Sequence, residues 1–327
     1  MTMSRRRSLG ALAVLPLVAA GWPGVALAAT PKRLGILAIL SRQEVIPAYE
    51  ASLRKHLADF GWIEGKTLAI EWRFAQLDES RFAPLAKELV EARVDVIVTW
   101  GTAATRAVQQ ATRTIPVVTG VTDPVGYGFA KSVSHPGGNI TGLSYSTPEI
   151  IQKEFELLRG LLPRLSLLVF LTRSTLESIR ERASPTVAAA RVTGITVEFR
   201  QIATLGDFEA ALRTVPSGGR GAVNIDYNVL GIPGADAKTL AELAVRHRVP
   251  LMEGVESGGL MSYTLSYEDL DERFAAVIDK LLRGADPAVI PFEIPTKSSF
   301  MINRSTATAL GIRIPPEILL RADRVID

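Results

Sequence analysis

Ligands of open parallel sheets bind just past the carboxyl ends of the strands, so the residues after each apolar run are where chemistry is expected. The run Val94–Trp100 ends in Gly101-Thr102-Ala103 and passes straight into a helical pattern. Free amides at such a helix start can hold a carboxylate. The other reading is that Thr102 simply caps the helix, and the two are compatible because different amides can serve each. Pro116–Val121 ends in Thr122-Asp123-Pro124. Asp before Pro is a standard helix start, and the alternative is that Asp123 accepts from a polar or cationic ligand group. Ser41 follows the first run. Beyond later runs lie Arg173-Ser174, Asp226-Tyr227-Asn228 and Glu253. Tyr227 there is a stacking partner for an apolar or aromatic group, and Glu253 is either a ligand contact or a surface charge. Trp100 and Tyr127 offer aromatic faces or core packing.

These residues need strands and helices to carry them. Leu34–Leu40, Leu68–Phe74, Val94–Trp100, Pro116–Val121 and Ile140–Ser144 read as strands. Residues 46–60 put Ile46, Tyr49, Leu53, Leu57 and Phe60 on one helical face, with Gly61 as a stop. The alternation predicts βαβ units and a parallel sheet. Beyond Pro148 the pattern restarts, with strands at Leu167–Leu171, Thr196–Ile202, Gly221–Tyr227 and Pro250–Val255. Helices are expected around 151–162, 176–192, 207–214, 234–247 and 267–283. The segments Val94–Val121 and Gly221–Val255 echo one another as strand, loop, helix, strand. The expected fold is α/β, in two similar lobes joined by short strands.

Composition narrows the function classes. The 327 residues contain no cysteine and three histidines, His56, His135 and His247, in no metal-ligand spacing. Thiolate chemistry, iron–sulfur clusters and Cys-bound zinc are excluded, and no metal is expected. A G-x-G-x-x-G fingerprint is missing after the first strand and no Walker A sequence occurs. No cofactor is expected. G-x-S-x-G and H-E-x-x-H are also missing, and nothing pairs a nucleophile with a base, so the chain is not read as an enzyme. Of the 37 basic residues Arg5, Arg6 and Arg7 lie in residues 1–28, and the remainder balances the 34 acidic ones. Such a body has no field to draw nucleic acid.

Residues 1–28 have the parts of an export signal: a basic start at Ser4-Arg5-Arg6-Arg7, an apolar stretch from Leu9 to Ala20, and Ala26-Leu27-Ala28 before the cleavage point. The apolar stretch is too short to span a bilayer as a helix. The arginines also resemble a twin-arginine signal, although Ser8 stands where that motif prefers Phe; the export route stays open between it and the general secretory one. A periplasmic, monomeric protein is expected.

Several stretches carry a family likeness together: Lys32-Arg33-Leu34-Gly35-Ile36-Leu37, Phe60-Gly61-Trp62-Ile63-Glu64-Gly65-Lys66, Thr122-Asp123-Pro124-Val125-Gly126, Pro136-Gly137-Gly138-Asn139-Ile140-Thr141-Gly142 and Gly258-Gly259-Leu260-Met261-Ser262-Tyr263. From end to end the mature chain resembles the ABC-transporter substrate-binding proteins that include tryptophan-type binding proteins. The resemblance implies a type I periplasmic-binding-protein fold, two Rossmann-like lobes with crossovers near Thr141–Tyr145, Ser257–Gly259 and Pro291–Pro295. Lobe 1 would be 29–143 completed by about 259–290, and lobe 2 would be 144–258 completed by about 296–327. It also implies a small ligand, an amino acid or related carboxylate, and an ABC permease as partner. Thr264 departs from the family's usual Gly, and Trp100 and Tyr227 match no family motif; these positions are expected to tune ligand choice. The expected binding set is Ser41, Gly101, Thr102, Ala103, Asp123, Tyr227 and Glu253. A ligand sensor that docks on a membrane receptor or kinase is the alternative, and an exported enzyme the third.

Overall fold

The computed structural model describes residues 30–40, 47–144, 148–174 and 176–327. The expected export signal and Ser41 lie outside the described residues.

Strands β1 (Lys32–Ala38), β2 (Leu68–Phe74), β3 (Val96–Trp100), β4 (Val117–Val121) and β5 (Ile140–Ser144) form one sheet, in the order β2-β1-β3-β4-β5. Every neighbouring pair is parallel. Helices α1 (Pro47–Asp59), α2 (Phe82–Glu91) and α3 (Thr102–Ala111) make the first three connections, and a turn-rich loop, 122–139, makes the fourth. A parallel sheet covered on both faces needs strands that are apolar on both sides. Thus Leu34 and Ile36 of β1 sit in one buried cluster with Leu53 and Leu57 of α1, whereas Leu37 sits in another with Leu85 and Leu89 of α2.

The chain then forms α4 (Pro148–Leu161), β6 (Leu167–Thr172), α5 (Leu176–Thr193), β7 (Thr196–Gln201), α6 (Leu205–Thr214), β8 (Gly221–Ile225) and α7 (Ala237–Arg246). The strands pair in parallel as β7-β6-β8. Next come β9 (Met261–Leu265), α8 (Tyr267–Leu282), β10 (Ser298–Asn303), α9 (Arg304–Ala309), α10 (Pro316–Leu319) and β11 (Arg324–Ile326). β9 runs antiparallel to β10, and β11 lies parallel on its other side. Two single bridges, Val223 to Leu251 and Met252 to Met261, sew β8 to β9, so the second lobe has one continuous sheet.

Two expectations are corrected. Pro250–Val255 is no full strand: only Leu251 and Met252 bridge, and pairing stops where Glu253 (φ 68°) and Gly254 (φ 59°) turn left-handed. The second crossover is not at Ser257–Gly259. Leu260 N–H still donates to Leu251 O and Asn303 N–H to Leu260 O, so the chain stays in the second sheet through β9. It returns to the first lobe at α8, whose Phe274, Val277, Ile278 and Leu281 complete the cluster around β1 and β3. The echo between the halves is visible as β3-α3-β4 beside β8-α7 and the 251–252 bridges.

The crossover segments are tied together. Glu293 bridges β5, taking Gly142 O on its own N–H at 2.9 Å and receiving Ser144 N–H on its carbonyl at 2.9 Å. Arg273 of α8 reaches Glu293 at 3.2 Å and the buried Asp269 at 2.7 Å, and Lys297 reaches Asp269 at 3.2 Å.

Candidate functional site

The amide cluster past β3 is built by backbone geometry. Gly101 N–H donates to Gly120 O at 2.9 Å, carrying the β3–β4 pairing one residue beyond the strand. Gly101 then takes φ 81° and stands as the N-cap of α3. That conformation favours glycine. Thr102 is therefore the first helical residue and not the cap, which corrects the capping alternative. The helix start has no side-chain cap and no acidic residue in its first turn. Thr105, one turn in, is buried; its hydroxyl reaches Gly101 O at 2.7 Å and Thr119 Oγ1 at 2.6 Å, locking the turn to β4. Gly101, Thr102 and Ala103 all keep partial exposure.

Asp123 lies two residues past β4, exposed, and accepts from Gly126 N–H at 2.7 Å. It stabilises a turn through 124–128 rather than a helix, which corrects the helix-cap reading in detail while leaving the side chain engaged locally. Trp100 packs on Phe274 of α8 with ring centroids 5.5 Å apart, and Tyr127 on Phe129 at 6.2 Å. Both aromatic faces are thus used by the first lobe's own packing.

In the second lobe, Tyr227 begins a 3-10 turn, Tyr227–Gly231, just beyond β8; its side chain is outside the described part of the structure. Glu253 follows the bridged pair Leu251–Met252, with its N–H on Met261 O at 2.9 Å. Its side chain is not a plain surface charge. Burial pushes its carboxyl up to about 7. Glu154, in the second turn of α4, is pushed up to about 8, by burial first and then by the charge of Glu253. Two carboxyl groups close enough to feel one another cannot both ionise cheaply. Glu154 was invisible in the sequence: it is one glutamate on an amphipathic helix, and only the fold brings it to Glu253.

Gly101, Thr102, Ala103 and Asp123 therefore share the carboxyl edge of the first sheet, and Tyr227 and Glu253 that of the second. The contacts that span the two edges run through other residues. Ser174, after β6, donates its hydroxyl to Glu79 Oε1 at 3.2 Å, although 95 residues separate them. Leu77, in the loop after β2, lies over Gly231. Among the described residues no group of three or more His, Asp or Glu could hold a metal, and no helix is long and apolar enough to cross a membrane.

Two α/β lobes whose carboxyl edges face one another define a type I periplasmic-binding-protein fold. The family model described as ABC transporter substrate binding protein matches residues 33–326, and the chain belongs to that family. A "Tyrosine-binding protein" of Clostridioides difficile is 25% identical over 291 residues, covering 86% of this chain and 81% of that protein. The crystal structure of an ABC domain in complex with L-Trp from Streptococcus pneumoniae is 26% identical with a TM-score of 0.77, over 91% of this chain and all of the other. A conserved domain protein from Vibrio cholerae shares the fold with a TM-score of 0.78 at 24% identity, over 90% of this chain and all of the other.

Proposed function

We propose that this chain is the exported, non-enzymatic receptor of an ABC importer, closing two lobes on an amino acid with an apolar or aromatic side chain. The lobes are taken as residues 30–143 with 267–292, and 148–265 with 298–327. In this reading the amides of Thr102 and Ala103 hold the ligand carboxylate at the start of α3. Glu253 and Glu154 accept its ammonium, and Tyr227 stacks on its side chain. Asp123 lines the first lobe's rim. Residues 1–28 direct the chain to the periplasm and are removed, and the mature monomer delivers its ligand to an inner-membrane permease.

The observation that carries this reading is the contact between the sheets' carboxyl edges, Ser174 on Glu79, in a chain of the substrate-binding family. That contact supports reading the two carboxyl edges as the walls of one crevice. Relatives that bind tyrosine or are solved with L-Trp support an aromatic amino acid over a sugar. The test is calorimetric titration of the mature protein with L-tryptophan, L-tyrosine and a panel of amino and organic acids. One ligand per chain, with a raised melting temperature at saturation, is expected. No heat and no thermal shift with any of them would end the reading.

A further inference from the structure

We infer that an ion-pair ladder running from Lys297 through Asp269 and Arg273 to Glu293 is a splint across the pivot of the last crossover, and that it sets how stiffly the two lobes turn on one another. The crossover is anchored at both ends. At its first-lobe end Glu293 pairs with β5, its N–H donating to Gly142 O and its carbonyl accepting Ser144 N–H, both at 2.9 Å. At its second-lobe end Lys297 O accepts from Ser266 N–H at 2.9 Å, one residue before β10 begins to pair with β9. Ile294, Pro295 and Thr296 lie between the anchors. A few such residues are enough to absorb the dihedral change of a hinge, and rotation there turns one anchor against the other.

The side chains of α8 span the same three residues. Asp269, whose side chain is only 5% exposed, takes Lys297 Nζ on one oxygen at 3.2 Å and Arg273 Nε on the other at 2.7 Å. Arg273 Nη1 passes on to Glu293 at 3.2 Å, and Lys280 Nζ reaches the second oxygen of Glu293 at 3.6 Å. The two ends of the pivot are thus joined twice, by the backbone of 294–296 and by alternating charges on α8. The hydrogen bond from Arg273 holds the Asp269 carboxyl below its ordinary value, so the ladder is charged at neutral pH. Ser266 Oγ accepts from Asp269 N–H at 3.4 Å, which fixes the first turn of α8 to the Lys297 end. Asp269, Arg273, Glu293 and Lys297 line a cavity of about 290 Å³, room in which these side chains follow a small rotation. Groups beside a pivot move least when the lobes turn, so the ladder acts on the range of the motion and not on which arrangement is preferred. The inference rests on the two-lobed receptor reading for its purpose, but its test needs no ligand.

The chain has no cysteine, so spin labels can be placed at Gln110→Cys on α3 and Glu242→Cys on α7, one exposed site on each lobe. Lys55→Cys with Gln110→Cys gives a control pair within the first lobe. Pulsed dipolar distances are measured on the mature protein refolded without ligand. The Lys297 side chain is 70% exposed, so Lys297→Met should fold. It should broaden the interlobe distribution, cutting the share of the parent's main distance against all others by about two- to fivefold, the worth of an exposed ion pair. The control pair and the melting temperature should stay as they are, and Lys297→Arg should restore the narrow distribution. Arg273→Met cuts the middle rung and should broaden the distribution at least as much, and the two changes together should add little, because a ladder in series is broken once. An unchanged interlobe width in either single variant, a narrow distribution displaced to a new distance, equal broadening of the control pair, or failure of Lys297→Arg to restore the parent would each overturn the splint. Should Arg273→Met not fold, Lys297→Met and its rescue decide. Failed amino-acid titrations with a broadened interlobe distribution would remove the ligand reading and leave the splint standing.

Discussion

Glu154 and Glu253 come from segments about a hundred residues apart, and at the carboxyl edge of the second sheet burial first, and then the charge of Glu253, keeps the proton on Glu154. Burial raises both carboxyls, to about 8 and about 7, from an ordinary value of 4.5. Each folded carboxyl therefore keeps its proton to a higher pH than the unfolded chain does. Folding loses stability as pH climbs from near 4.5 through 7 and 8, and regains it on acidification.

Glu154→Gln removes one titrating partner. At pH 8 the variant should melt above the parent by about 2–4 °C, the shift that roughly 1 kcal/mol produces in a chain of this size. Near pH 4.5 the two should melt together. The check is a series of thermal melts across this pH range, and a gap that widened toward acid would contradict the assignment.

Tyr227→Ala tests the stacking role. Affinity for L-tryptophan, measured by titration, should weaken by about 1–3 kcal/mol, the value of burying a large apolar group, with little change in melting temperature. Equal affinity in both proteins would remove Tyr227 from the site.

Asp123→Ala separates turn from ligand. The carboxylate already accepts from Gly126 N–H at 2.7 Å, so losing it should cost about 1 kcal/mol of stability, as lost caps do. Affinity for the same probe should stay within about twofold. An unchanged melting point with lost binding would reverse the assignment.

Gly142→Ala is the sharpest test of the lobe junction. Gly142 has φ 145°, and a Cβ there would lie 1.9 Å from Thr119 O, an atom of the neighbouring strand's backbone. Neither strand can yield without breaking its pairing, so destabilisation of about 3 kcal/mol is expected from denaturant melts. A variant as stable as the parent would show that β5 pairs differently.

The periodic parts of the fold are legible in the sequence. The runs Leu68–Phe74 and Ile140–Ser144 coincide with β2 and β5; in β2, an edge strand, Leu68, Ile70, Trp72 and Phe74 alternate with Ala69, Glu71 and Arg73, the period-two signature of a half-buried strand. Pro250–Val255 misled for a definite reason: apolar content was read as pairing, but the left-handed backbone at Glu253 ends the ladder after Met252. Local pattern carried no hint of the 76–79 loop either, since left-handed residues are usually betrayed by Gly or Asn and here they are Gln76 and Leu77. The first-lobe rim, Gly101–Ala103, was found by strand-end logic. Glu154 was not, because partnership between side chains on separate elements is written only in the tertiary structure.

The late return of α8 to the first lobe governs when this chain can fold. The buried cluster around Leu34, Ile36 and Val98 is completed by Phe274, Val277 and Ile278, and the second sheet needs β10 beside β9. The face of the first sheet around β1 and β3 therefore cannot close until α8 has been synthesised, whereas the cluster between β6, β8, α6 and α7 is complete within residues 169–251. Contacts that span more than two hundred residues must form late and against loop-closure entropy, so in a chain emerging from the ribosome that face of the first lobe stays uncovered until most of the second lobe has been made.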